Sequence, residues 1–301
     1  MDEKRKAPFA NMNPVLFVLV SLAVVFVTYQ IIGGVISAFL SGAEAGNGIK
    51  DIKTFRIVIS SSQFMFILVP VIVLNILRGD DADKIFRLKI PDTKIFSLSV
   101  LGIFVIQPFL QLYIVIQNKL IFSLPFGGEF VNKLKEFFDI LEAAVIGIVK
   151  SYSPFEFVIV IIVIAVTPAI CEELLFRGLI LSNLLKILKA STAVILTGLL
   201  FALFHFDPFN LIPLIILGIY ISAVAYLSGS IYTAMAVHFL NNFFSAAAVY
   251  FIGDDFASTS KDIPQGEFIQ LIIWGLVSAA LFIAIMFLIK NLFRKNQKII
   301  F

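Results

Sequence analysis

From Pro14 to Leu40 the chain runs through 27 residues without one charged side chain. As a helix this stretch would be about 40 Å long, enough to cross the roughly 30 Å hydrocarbon core of a bilayer. The pattern recurs. Further apolar runs cover about Phe55 to Leu77, Ile95 to Gln117, Phe155 to Leu185, Ser191 to Phe206, Leu211 to Leu227, Ile231 to Phe251 and Phe268 to Ile289, about eight in all. Hydrophobic residues make up 60% of the chain and charged residues 14%, which leaves too little polar surface to cover a water-soluble domain of this length. In hydrocarbon each backbone N–H and C=O must be paired within the chain, so the runs are expected to be helices. The expected fold is all-α, a polytopic transmembrane helical bundle embedded in the lipid bilayer.

The first run follows Lys4, Arg5 and Lys6, as a signal peptide would, but it is too long for a cleaved hydrophobic region and is read as a retained span. Placing the N-terminus in the cytoplasm puts the basic groups Lys4 to Lys6, Arg78 to Lys94, Lys186 with Lys189, and Lys290 to Lys298 on one side. That bias fits an N-in, C-in, multi-pass protein, with a bacterial cytoplasmic membrane as the expected residence. The net charge of +3 is small and its basic residues flank spans, so no nucleic-acid partner is expected. A single cysteine, Cys171, excludes an internal disulfide framework and a CxxC metal site, and is read as packing.

The chain divides into N-terminal membrane helices (1–130), an interfacial segment (131–150), a polar-residue-bearing core (155–251), and a C-terminal span with a basic tail (267–301). From Val131 to Val149, apolar residues such as Leu134, Phe137, Phe138 and Leu141 recur at helical spacing, opposite Lys133, Lys135, Glu136, Asp139 and Glu142. This is the pattern of an amphipathic helix lying on the membrane surface, as a strut or as a lid over a substrate portal.

Ionisable groups within spans are costly and need a partner or a function. Three clusters qualify. In Cys171-Glu-Glu-Leu-Leu-Phe-Arg-Gly178, Glu173 and Arg177 are four residues apart and share a helix face. Glu172 is turned about 100° away, which keeps its carboxylate free. Thr167-Pro168 just before this stretch should bend the helix or open its hydrogen-bond ladder. The second cluster is Phe201 to His205, at the end of a short run closed by the polar turn Asp207-Pro208-Phe209-Asn210. The third is His238-Phe-Leu-Asn-Asn242, in which spacing alone does not choose between Asn241 and Asn242. One free carboxylate, two imidazoles and an amide supply what peptide hydrolysis needs, a base for water and donors for the oxyanion. Straight helices would leave Glu172 and His205 at different depths, so the fourth helix should be unusually long or kinked near Pro168.

The ordered series Glu-Glu-x-x-x-Arg, Phe-x-x-x-His and His-x-x-x-Asn resembles the CPBP family of intramembrane proteases. That family groups type II CAAX prenyl proteases with bacteriocin-processing and Abi-type self-immunity membrane proteins. The resemblance covers about Phe155 to Phe251. It implies an endopeptidase in which Glu172 activates water, His205 assists, and His238 with Asn242 holds the oxyanion, the family's third motif favouring Asn242. Glu173 and Arg177 would orient the first motif. Family members are often labelled metalloproteases, and Glu172, His205 and His238 would then be the zinc ligands. The His-Glu-x-x-His arrangement is absent, and the favoured family mechanism is glutamate-dependent with no cofactor. The expected partner is a peptide or membrane protein substrate, and the family's prenylated substrates are not carried over. The alternative is a non-enzymatic immunity protein, or a proton-coupled transporter using the buried Glu and His as a relay.

Overall fold

The computed structural model describes residues 7–42, 49–123, 128–129, 133, 136–137, 145–253 and 265–299. Among them there is no strand, and eight longer helices carry the architecture. These are α1 (Pro14–Leu40), α2 (Ile52–Arg78), α3 (Thr93–Ser123), α4 (Pro154–Leu184), α5 (Ala190–Phe204), α6 (Leu211–Ser228), α7 (Ile231–Ile252) and α8 (Gln265–Ile299). Seven are long and apolar enough to cross a membrane. The eighth expected span is shorter: α5 has 15 residues and stops at Phe204. The amphipathic helix expected over Val131 to Val149 lies outside the described residues except at 133, 136–137 and 145–149.

Local chemistry sets the ends. Asn13, Asp51 and Ser153 cap α1, α2 and α4, their side chains accepting from Val15 N, Thr54 N and Glu156 N. Pro14 and Pro154 occupy the first turns of α1 and α4, where no N–H is needed. Gly79 and Gly229 end α2 and α6 with φ of 75° and 65°, a left-handed stop that side-chain-bearing residues resist.

In lipid, helices gain little from hiding apolar surface from one another, so close van der Waals packing and polar contacts bind them. The α5–α6 hairpin is closed by Gly198 against Gly218. A Cβ on Gly198 would stand 2.5 Å from the backbone nitrogen of Ile219, and one on Gly218 would stand 2.6 Å from the Gly198 carbonyl. Helix α4 takes the centre of the bundle. From Thr167 to Leu184 every residue is buried apart from Ile170 and Leu174, which are half-buried.

In α3 and α4 a proline breaks the hydrogen-bond ladder. In α3, Pro108 interrupts the ladder, and Ser278 of α8 bridges the gap: Phe109 N donates to Ser278 Oγ (3.3 Å), which donates to the Val105 carbonyl (2.5 Å). In α4, π-helical turns at Ile162–Val166 and Leu174–Ile180 flank Thr167–Glu173, with Pro168 on its first turn. The expected long fourth helix is present. Its 31 residues rise about 46 Å, so Glu172 stands about 18 Å above Leu184, while His205 stands about 22 Å above Ala190. The depth conflict between them is thereby removed.

Candidate active site

The innermost part of the site is an ion-pair network. Arg177 Nη1 donates to Glu173 Oε1 at 2.7 Å, with both side chains fully shielded from solvent. The pairing follows from four-residue spacing on α4. Its surroundings follow from the tight α5–α6 hairpin. Arg177 Nη2 donates to the Gly218 carbonyl (3.0 Å), Nε donates to Ser222 Oγ (3.2 Å), and the guanidinium carbon lies 4.4 Å from the Phe201 ring centre. A buried ion pair holds only when its remaining donors are satisfied, and here three elements contribute. From the loop before α3, Arg87 donates to the Arg177 carbonyl (2.6 Å), and the Arg87 carbonyl accepts from Ile231 N at the start of α7 (3.2 Å). Burial lowers the Arg87 guanidinium to about 10.

Glu173 Oε1 also accepts from His238 Nδ1 at 2.7 Å. This bond fixes the ring of His238, packed edge-on to Phe201, and leaves Nε2 as its other working nitrogen. His205, at the C-terminal end of α5, is oriented in the same manner. Its Nδ1 donates to the Phe201 carbonyl (2.7 Å), which can only accept, so in the neutral ring Nε2 presents the lone pair. That nitrogen stands 3.7 Å from Glu172 Oε2. Glu172 Oε2 is buried and has no hydrogen-bond partner. The adjacent glutamates thus differ: Glu173 Oε1 is held by two donors while its Oε2 has none, and Glu172 is turned toward His205.

Glu172, His205, His238, Asn241 and Asn242 line one cavity of about 260 Å³, together with the apolar Ile164, Pro168, Phe201, Leu214, Leu217 and Ile221. A larger depression of about 540 Å³, around Arg56 and Glu156, contains none of these residues. Pro168 supplies no N–H to the Ile164 carbonyl, and Asn242 Nδ2 takes that place with a 2.8 Å bond. Asn242 Oδ1 accepts from Asn241 Nδ2 (3.1 Å), whose Oδ1 accepts from Gln107 Nε2 (3.1 Å). Gln107 was absent from the sequence-based candidates. The available signal was an amide within the apolar third span, just before a proline.

Among the described residues no group of three His, Cys, Asp or Glu side chains is placed to share an ion.

Every residue that lines the cavity falls between 154 and 244, and this segment matches the family model for type II CAAX prenyl endopeptidase Rce1-like proteins. Residues 154–244 are thus similar to an Rce1-like domain. The match is consistent with the CPBP resemblance carried by the Glu-Glu-x-x-x-Arg, Phe-x-x-x-His and His-x-x-x-Asn motifs. Neither a curated protein nor a solved structure matches the chain. The Rce1-like domain runs from the start of α4 into α7, while Gln107 and Arg87 reach its residues from outside. With seven apolar helices of spanning length, the protein is an integral membrane protein.

Proposed function

We propose that the protein is an intramembrane endopeptidase in which Glu172 activates water. The observation that carries this reading is the unpartnered Glu172 Oε2, 3.7 Å from a His205 nitrogen that presents a lone pair, inside a cavity shared with His238 and the asparagines. Two acceptors at that separation can each take one proton of a single water at hydrogen-bond distance, about 2.8 Å. The water's own lone pair then points at a carbonyl carbon. On attack, the C–O bond forms, one water proton passes to Glu172, and the carbonyl oxygen gains the negative charge. Asn242 provides a donor for that oxygen, joined by His238 Nε2 when the ring carries a proton on both nitrogens, the Nδ1 proton being held by Glu173. Glu172 returns its proton to the departing amine as the C–N bond breaks. Glu173 and Arg177 keep His238 in place.

No cofactor takes part in this scheme. The substrate class is a peptide or membrane-associated protein that reaches the cavity in extended form, with apolar residues against Leu214, Leu217 and Ile221. The distribution of basic residues supports N-in, C-in placement, in a bacterial cytoplasmic membrane.

The test is cleavage of internally quenched peptides by the protein in proteoliposomes, with matched sets carrying a free or a farnesylated cysteine and products sized by mass spectrometry. Cleavage by the wild type and its loss, by more than about 10³-fold, in Glu172→Gln are expected. Equal rates for the two proteins would overturn the assignment.

A further inference from the structure

The hydrogen-bond chain through the asparagine pair begins on a helix outside the Rce1-like domain, and it has a direction. At its far end the Ile164 carbonyl can only accept, and Pro168 has removed its helical donor. Asn242 must therefore present Nδ2 to α4 and turn Oδ1 back toward Asn241. Asn241 must then offer Nδ2 to that oxygen, which leaves its own Oδ1 facing α3. Only a donor satisfies it there. Gln107 Nε2 is that donor, at 3.1 Å, and its second proton goes to the Ile103 carbonyl of its own helix at 3.0 Å. Flipping any one amide would set acceptor against acceptor or donor against donor.

Each asparagine amide has two protons and commits one to the chain, so each keeps one on a residue that lines the cavity. The start of the chain is itself held firmly. Gln107 precedes Pro108, where Ser278 of α8 is stitched into the opened ladder of α3.

We propose that Gln107 is a positioning residue: acting through Asn241, it fixes the orientation in which Asn242 presents N–H rather than C=O to the oxyanion. This rests on the peptidase reading above. Gln107 touches neither substrate nor the reacting atoms, so its effect should fall on turnover and not on substrate binding. An oxyanion donor is worth about 10²–10³ in rate. An amide freed to rotate keeps part of that value, and a loss of about tenfold is expected.

The experiment compares Gln107→Met, Asn241→Ala and the double variant on the quenched peptide, alongside Glu172→Gln and thermal unfolding of each protein. Gln107→Met should lower kcat about tenfold with KM unchanged, and the double variant should be no slower than Asn241→Ala alone, since one residue acts through the other. Gln107→Leu, which offers Asn241 no donor, should be at least as slow as Gln107→Met and stands in for it should that variant fail to fold. Unchanged kcat in both Gln107 variants, or losses that multiply in the double variant, would refute the role. If the wild type cleaves no better than Glu172→Gln, the peptidase reading falls and this role with it. If only the wild type cleaves and the Gln107 variants match it, the Gln107 assignment alone falls.

Discussion

Replacing a glutamate by glutamine at 172 and at 173 makes the same chemical change one residue apart, and the structure assigns the two changes opposite consequences. Glu173 Oε1 accepts two charge-assisted bonds, both 2.7 Å, from Arg177 and His238. Such bonds contribute about 1.5–3 kcal/mol each, against about 0.5–1.5 for neutral ones. Glu173→Gln keeps an acceptor there and loses about 2 kcal/mol across the pair. It also leaves the Arg177 guanidinium, in a residue only 1% exposed, without its counter-charge, and stranding half of a buried pair costs about 3–5 kcal/mol. The weakened bonds are part of that stranding cost, so a loss of about 3–5 kcal/mol is expected. Glu172 Oε2 has no hydrogen bond to lose and only a 3.7 Å contact with His205, so Glu172→Gln should cost no more than the roughly 1 kcal/mol of one weak polar contact. Unfolding in mixed micelles with a rising fraction of SDS, followed by far-UV circular dichroism, measures the stabilities. Peptide cleavage on the same preparations measures turnover. Glu172→Gln should be inactive and stable, whereas Glu173→Gln should be unstable and slowed by misplacement of His238. Equal destabilisation of both variants, or a Glu173→Gln protein as stable as the wild type, would refute the division of labour between the two carboxylates.

Pro168→Ala restores an N–H opposite the Ile164 carbonyl, in competition with Asn242 Nδ2; turnover should fall about tenfold, part of the value of an oxyanion donor, while the unfolding midpoint holds or rises. Gly218→Ala places a Cβ 2.6 Å from the Gly198 carbonyl and should lower stability in the same SDS titration by about 1–3 kcal/mol, with activity falling as the Gly218 carbonyl moves off Arg177. Dialysis against 1,10-phenanthroline or EDTA should leave the cleavage rate unchanged, and loss of cleavage that zinc restores would overturn the cofactor-free scheme.

The helices were legible because charge is excluded from their apolar runs, and the Glu173–Arg177 pair because helical spacing places residues four apart together. The same arithmetic separated Glu172 from them. Helix lengths were less legible. The last helix continues from Gln265 through the basic tail to Ile299, past the point where hydropathy fades, because polar residues are good helix formers outside the membrane. The expected bend near Pro168 takes the form of flanking π-helical turns, and the sequence gives no sign that the carbonyl released there is taken by an asparagine 78 residues away. Gln107 was hidden for the same reason. An isolated amide in an apolar run shows that a partner exists, but its partner lies 134 residues later, and only packing brings them together. Ser278 and Ser222 read as ordinary small residues until α3 is set beside the first and α4 beside the second.

Helix α5 has one more physical consequence, which concerns the surrounding lipid. Fifteen residues climb about 22 Å, roughly 8 Å less than a typical hydrocarbon core. Acyl chains beside Leu203 and Phe206, both exposed, must compress or splay to meet so short a wall, at a fraction of a kcal/mol for each ångström of mismatch. Among the described residues α5 is the shortest of the eight helices, so the hydrocarbon an amphiphilic chain must cross is least beside it and His205.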